Sequence, residues 1–348
     1  MKTDIKALTV SILLGIVFCS INYVLHRSGK KEMIDTQESF FDRLGDEEVV
    51  QLEITTNLSN LIENRSENII QQASLSVHTA EGETDYPIEV SLRGKTRRDL
   101  CSFPPLKLRF DEKLLKAEDM QTFDKYKLVT HCKENSDLVL KEYMAYQLYN
   151  QLTEYSFRAR LVEVTYIDQG QQMDTTTQYA ILLENYGEMA QRLAAQKMPK
   201  QLPDNTRIPS EDYQRLVVFQ YMIGNTDWNL YKQHNIKWLQ TKGSAIPVPY
   251  DFDFSGLVDA PYAQPHPSLP IANVRQRYLQ YRGQDQQELE AIHQEIDGQK
   301  EDLLRLCTQL EAIDLHSKQD VVDYLNEFFE RSAQAYSNSD VVQNGQGV

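Results

Sequence analysis

Apolar and polar positions alternate in short runs over the first half of the chain. Residues 49–55, 73–77, 88–92, 106–110 and 125–129 each read as a strand with one apolar face. Gly82, Gly94 and Asp99 fall between these runs and mark turns. The period then changes: over residues 137–152, Leu138, Leu140, Tyr143, Met144, Tyr146, Gln147 and Leu148 broadly fit an amphipathic helix. Two strands follow, 161–167 and 178–183, separated by the polar turn 168–177. The second half reads as mostly helical. It comprises a short helix at 188–196, one from an N-cap at Ser210 through Ile223, and long patterns at 287–313 and 320–336. Ser317 and Asp320 stand at capping-box spacing before the last of these. Two strand-like runs, 236–239 and 246–250, interrupt the helices, and residues 338–348 form a polar tail.

The N-terminus changes the picture. Residues 7–25 carry no charge, follow Lys2 and Lys6, and precede Arg27, Lys30 and Lys31. That length can just cross a hydrocarbon core as a helix. No Ala-x-Ala site follows it, and Phe18 stands where a lipoprotein signal ending at Cys19 needs a small residue. The expectation is an uncleaved single-pass signal anchor with the remainder extracytoplasmic. The chain then divides into an anchor (1–31), a linker (32–46), a strand-rich lobe (47–185), a helical lobe (186–337) and a tail (338–348). A net charge of −15 argues against nucleic acid as a partner and says little about the partner otherwise; the membrane is the expected partner of residues 7–25. Cys101 and Cys132 adjoin strand-like runs, and an oxidising compartment would allow a bridge closing a loop of roughly thirty residues, contributing about 3 kcal/mol. Two free buried thiols fit the sequence equally well, and Cys307 reads as core.

Candidate chemistry concentrates in residues 223–256. Asp227 ends an apolar helical run, Asn235 opens one strand-like run, and Asp251 closes the next. An orienting Asp followed by a metal-holding Asn and Asp is the set that phosphoryl transfer needs, and Mg²⁺ requires few protein oxygens beyond those of the phosphates. Asp227 is the candidate catalytic residue. Asn235 and Asp251 are the candidate ligands for Mg²⁺ or Mn²⁺, with Asp253 as a further ligand and Asn229 as a weaker competitor. Lys107 alternates away from Leu106 and Leu108 and is the candidate for the phosphates of ATP or another nucleotide, with Lys127 its rival. Glu142, midway along the first helix, is placed to orient that lysine. Arg93, Gly94, Lys95, Arg97 and Arg98 make a basic turn able to contact phosphates, although no Walker loop and no Gly-x-Gly-x-x-Gly is present. Arg275 and Arg277, which follow Asp251, are candidates for contacting substrate or for tethering the segment after the metal loop. The histidines, His234 and His266 included, show no metal-ligand spacing.

A strand-rich lobe with one inserted helix, joined to a helical lobe with an acidic hairpin, is the architecture of an α+β, bilobal protein-kinase-like fold. The order of four pieces strengthens this: Leu92-Arg93-Gly94-Lys95-Thr96-Arg97-Arg98; Pro104 to Phe110; Leu183-Glu184-Asn185; and Gly224-Asn225-Thr226-Asp227-Trp228 with Asn235 and Pro249-Tyr250-Asp251-Phe252-Asp253. Together, over roughly residues 85–282, they resemble the spore-coat-protein-H (CotH) family of atypical kinases. The resemblance implies phosphoryl transfer from ATP to a protein hydroxyl, and places Glu184 at the nucleotide between the lobes. Asn235 comes eight residues after Asp227, where conventional kinases have five, and Asp251 is not followed by Phe-Gly. A non-catalytic surface or assembly module, and nucleotidyl transfer on the same scaffold, are the alternative readings.

Overall fold

A strand whose side chains alternate can bury both faces only if something covers each of them. This chain meets that requirement by closing a sheet on itself and laying helices on part of its outside. The computed structural model describes residues 37–335 apart from 46, 81, 134–135, 200–206 and 282–284, and all that follows lies from Ser39 onward. In chain order the first elements are α1 (Phe40–Arg43), β1 (Val50–Thr56), α2 (Leu58–Glu63), β2 (Ile70–Thr79), β3 (Gly82–Leu92), α3 (Thr96–Leu100), β4 (Leu106–Phe110) and α4 (Glu112–Ala117). Then come β5 (Lys125–Val129), α5 (Asp137–Leu152), β6 (Ala159–Asp168), β7 (Thr176–Leu183), α6 (Tyr186–Arg192), β8 (Gln196–Lys197) and α7 (Ser210–Met222). The last are β9 (Ile236–Gln240), β10 (Ala245–Pro249), α8 (Gln286–Asp297), α9 (Lys300–Gln309) and α10 (Leu315–Ala335).

Seven strands form a closed barrel in the order β1-β2-β3-β4-β5-β7-β6. Six neighbouring pairs are antiparallel, and the barrel closes through β1 and β6 in parallel, from Val50 opposite Val162 to Thr56 opposite Asp168. This corrects the expected bilobal protein-kinase-like fold with its N-terminal transmembrane helix: the strands form a closed mixed barrel. Alternation of apolar residues identifies strands but is silent on a parallel partner more than a hundred residues away, and that pairing is what closes the sheet. Leu52, Ile54, Val90, Leu108, Tyr126, Val162 and Leu182 fill the interior. Val129, Leu161, Ile181 and Leu183 point outward and join α5, α7 and the C-terminal helices in a second core.

The membrane expectation is corrected as well. No helix among the described residues is long and apolar enough to cross a membrane. The longest, α10, interleaves Lys318, Asp320, Asp323 and Glu327 with its buried positions. Residues 7–25 lie outside the described residues, so a single-pass anchor and an extracytoplasmic location find no support in the fold.

Smaller differences have local causes. The pattern at 287–313 is two helices, broken at Gly298 and Gln299. Ser210 is the first helical residue of α7 and Pro209 is the cap. Ser317 lies inside α10, where Asp314 accepts hydrogen bonds from the amides of His316 and Ser317. Cys101 and Cys132 form a disulfide across 31 residues, a closure worth about 3–4 kcal/mol. Cys307 is a buried free thiol.

At the closing seam, Asp168 ties the end of β6 to the start of α2. Its Oδ1 accepts from the amides of Ser59 (3.2 Å) and Gly170 (3.0 Å), and Oδ2 from those of Gln172 (3.0 Å) and Met173 (3.2 Å). Burial raises its pKa, but the amides of Gln172, Ser59 and Gly170 outweigh that and draw it down to about 2. Because the folded value lies below the unfolded one of about 3.9, this stabilisation is present above pH ~4 and lost as pH falls toward 2. Asp168→Ala is expected to cost about 2–3 kcal/mol near neutral pH, with a smaller gap from the parent near pH 3. Urea unfolding at the two pH values checks this; a gap of equal size at both contradicts it.

Candidate functional site

An antiparallel hairpin brings its first and last residues together. Asn235 directly precedes β9 and Asp251 follows Tyr250 at the end of β10, so the pairing of Ile236 with Pro249 makes them neighbours. The Tyr250 amide bonds the Asn235 carbonyl at 3.1 Å. Both residues adopt left-handed backbone, with φ of +52° at Asn235 and +68° at Asp251, a conformation that Asn and Asp tolerate better than other side chains. The Asp251 amide is fixed by donating to the Tyr146 hydroxyl of α5 at 2.9 Å. β10 carries two prolines, which suits its place at the edge of the three-stranded sheet β10-β9-β8.

The loop after α7 supplies Asp227. Buried Asn225 bonds Gln220 and accepts from the Asp227 amide at 2.9 Å. One oxygen of the Asp227 carboxylate meets His234 Nε2 at 2.8 Å, and the other accepts from Asn235 Nδ2 at 3.0 Å. Tyr324 of α10 lies beneath this loop and the one after β10. Its hydroxyl stands where a Cβ at Gly224 or Gly256 would project, and Gly224 has φ of +64°. Only glycine fits at both positions.

Arg97 of α3 joins the barrel to these loops. Buried, it reaches Glu142 of α5 at 2.6 Å and Asp253 at 2.9 Å, and its Nε also donates to the Tyr262 hydroxyl at 3.0 Å. Burial works against the charge of Arg97, but Asp253 and Glu142 more than offset it and hold the guanidinium fully charged. For Glu142, burial raises the pKa, Arg97 opposes this, and Asp253 and Asp251 add to it. Oxygens of Glu142, Asp251 and Asp253 lie within 4.8 Å of one another. Glu142 Oε1 is buried with no hydrogen-bond partner. Three hard oxygen donors, one of them orphaned, suit a divalent cation such as Mg²⁺ or Mn²⁺.

One cleft gathers these groups. Arg93, Gly94, Lys95, Thr96, Arg97 and Pro105 line one side, and Asp227, His234, Asn235, Asp251, Asp253 and Phe254 the other, around about 210 Å³. No protein-family model matches the chain, and no curated protein is similar enough to serve as a relative. The chemistry therefore rests on the geometry.

Several predicted site residues lie elsewhere or act differently. Asp227, Asn235, Asp251, Asp253 and Arg93 meet in the cleft. Glu142 adjoins it but pairs with Arg97 rather than with a lysine. Lys107 is not among the lining residues. Glu184 is buried in ion pairs with Arg158 (2.8 Å) and Arg192 (2.9 Å), which bind the end of β7 to α6. Arg275 and Arg277 stack on Tyr324, with centroid distances of 4.4 and 3.7 Å, and so support the loops from below. Two contributors escaped the sequence reading: Arg97 as the central cation, and His234 as a partner of Asp227. Position seven beyond Asp227 carried no local signal, since their contact depends on the turn closed between Asn229 and His234.

Lys127 lies next to Lys107 across the β4–β5 pair. Its Nζ sits 4.2 Å from the centre of the Tyr250 ring. Burial, then Arg93, brings its pKa down to about 7, with Asp251 acting in the opposite sense. Since the unfolded value is about 10.4, stability is fully present above that pH and is lost as pH falls through 7. Lys127→Met is therefore expected to stabilise the fold, and by more near pH 6 than near pH 9. Thermal unfolding of both proteins at the two pH values tests this; an equal gain at each, or a loss, refutes it.

Proposed function

We propose that the chain is a phosphotransferase that moves a phosphoryl group from a nucleotide such as ATP to a protein hydroxyl, the chemistry implied by its resemblance to the CotH family. The observation that carries this reading is the convergence of Asp227, Asn235, Asp251 and Asp253 on one side of a cleft with Arg93 and Arg97 on the other. Phosphoryl transfer needs mainly positioning and charge stabilisation, which such opposed surfaces supply.

Asp227 orients the acceptor hydroxyl and takes its proton. His234 and Asn235 each engage one of its oxygens, and each carboxylate oxygen retains a second lone pair for the incoming hydroxyl. Asp251 and Asp253, with Glu142 and the cleft-lining Asn235, would hold Mg²⁺ or Mn²⁺, which supplies neutralisation of phosphate charge. Arg93 and the turn at Gly94–Thr96 face the transferred group from the barrel side. A cleft of about 210 Å³ takes phosphates and a cation but not a whole nucleotide, so the nucleoside lies outside it.

A second reading has one observation in its favour. Arg97 already neutralises Asp253 and Glu142, as in a scaffold that needs no cation and catalyses nothing. Transfer from γ-labelled nucleotide to a hydroxyl-bearing protein separates the two. Asp227→Asn is expected to lower the rate by about 10²–10⁴-fold with nucleotide affinity retained, and Asp251→Ala to abolish metal-dependent nucleotide binding. Absence of metal-dependent binding in the parent, or undiminished turnover in Asp227→Asn, refutes the phosphotransferase.

A further inference from the structure

A hollow of about 770 Å³ shares no lining residue with the acidic cleft. It is nevertheless built from the three segments that meet at Arg97. Leu100 lies one turn beyond Arg97 on α3, and Leu138 one turn before Glu142 on α5. Val258 and Pro261 follow Asp253 on the loop after β10. The disulfide pins one rim, because Cys101 stands between Leu100 and Ser102, and Cys132 directly precedes Lys133. The Ser102 hydroxyl also donates to the Cys132 carbonyl at 3.0 Å.

The walls are apolar. Leu138 packs against the small core around Val258, while Leu100 is 49% exposed and Pro261 is exposed. Leu315, 82% exposed, comes two residues before Ser317, which also lines the hollow. Large apolar side chains left in water around one concavity mark an interaction surface. Its charges indicate what covers it. Lys141 is taken by Asp320 at 2.7 Å, which leaves Lys133 against Asp137 and exposed Asp259. Burial and then Asp314, a third carboxylate, raise the pKa of Asp137, although Ser317 donates to it at 3.3 Å. Negative charge is therefore in excess beside the apolar walls, and the complement is an apolar group next to a cation. With Leu100, Ser102, Asp259 and Pro261 open to solvent, the hollow suits a chain lying across it rather than a small molecule enclosed by it.

We propose that this hollow is the docking site for a polypeptide segment of a partner protein, one that presents a large apolar side chain beside a lysine or arginine. The apolar side chain covers Leu100, Leu138 and Val258, and the cation meets Asp259 and Asp137. Because Leu100, Leu138 and Pro261 belong to the segments that carry Arg97, Glu142 and Asp253, a seated segment bears on the base of the cleft without entering it. The site stands whether or not the cleft transfers phosphate.

Random heptapeptides displayed on phage are the probe, selected on the full chain, with the strongest then synthesised and measured by fluorescence polarisation. Enrichment of Leu, Ile, Met or Phe beside Arg or Lys is expected. Replacing the apolar residue of the peptide by Ala should weaken binding at least about tenfold. Asp259→Asn should weaken it about two- to fivefold, and should leave unchanged the affinity of a peptide whose basic residue is Gln. Asn suits the backbone at position 259, where φ is +52°. Hydrogen exchange on the parent needs no variant: the peptide should protect residues 100–102, 137–141 and 258–261. Absence of enrichment, selection of acidic peptides, an equal effect of Asp259→Asn on both peptides, or protection confined to residues 227–235 overturns the site. A concentration-dependent dimer that Leu100→Asp dissolves would assign the hollow to a second copy of the chain and overturn it as well.

Discussion

The buried Arg97 guanidinium holds the molecule's working parts together. It belongs to the barrel turn, Glu142 to α5, and Asp253 to the loop after β10, so one side chain links three segments that are far apart in sequence. Removing a single partner from such a cluster strands a buried charge, a loss of about 3–5 kcal/mol. The disulfide reinforces the link: Cys101 follows α3 and Cys132 precedes α5, which fixes the backbone on both sides of the Arg97–Glu142 pair. Tyr324 complements this from below by holding the loops that carry Asp227 and Asp253 against α10.

These constraints yield a surface divided by charge. Carboxylates face the cleft from the loops after α7 and β10, and cations face it from the barrel. The division depends on the barrel's outer face. Tyr126 and Leu128 turn into the barrel, so Lys127 between them must turn out, toward the hairpin. Burial and the neighbouring Arg93 disfavour the charge of Lys127, and Asp251 of the acidic cluster only partly offsets this. Such stored cost is typical of places where a ligand completes the charge balance.

Much of this organisation was legible in the sequence, to the extent that it depended on local pattern. Strand and helix periods located most elements, and an antiparallel hairpin bounded by Asn235 and Asp251 necessarily brings those two together. Barrel closure was not legible, because β1 finds β6 in parallel over a long separation that no alternation encodes. Arg97 was visible only as one of several basic residues in a turn, since its partners come from remote segments. Lys107 and Lys127 share one alternation and one face, and only tertiary register decides which of them meets Tyr250. Glu184 reads as a lone acid beside a strand end, whereas Arg158 and Arg192 make it a structural ion pair.

Whether the Glu142–Asp251–Asp253 cluster takes a cation despite Arg97 separates a working phosphotransferase from an inert scaffold. Electron paramagnetic resonance of Mn²⁺ titrated into the full chain tests that claim most directly. The expected result is weak binding of Mn²⁺ alone, marked tightening on addition of ATP, and loss of both in Asp251→Ala. An Mn²⁺ signal that stays that of the free aqueous ion, with and without nucleotide, would contradict the account.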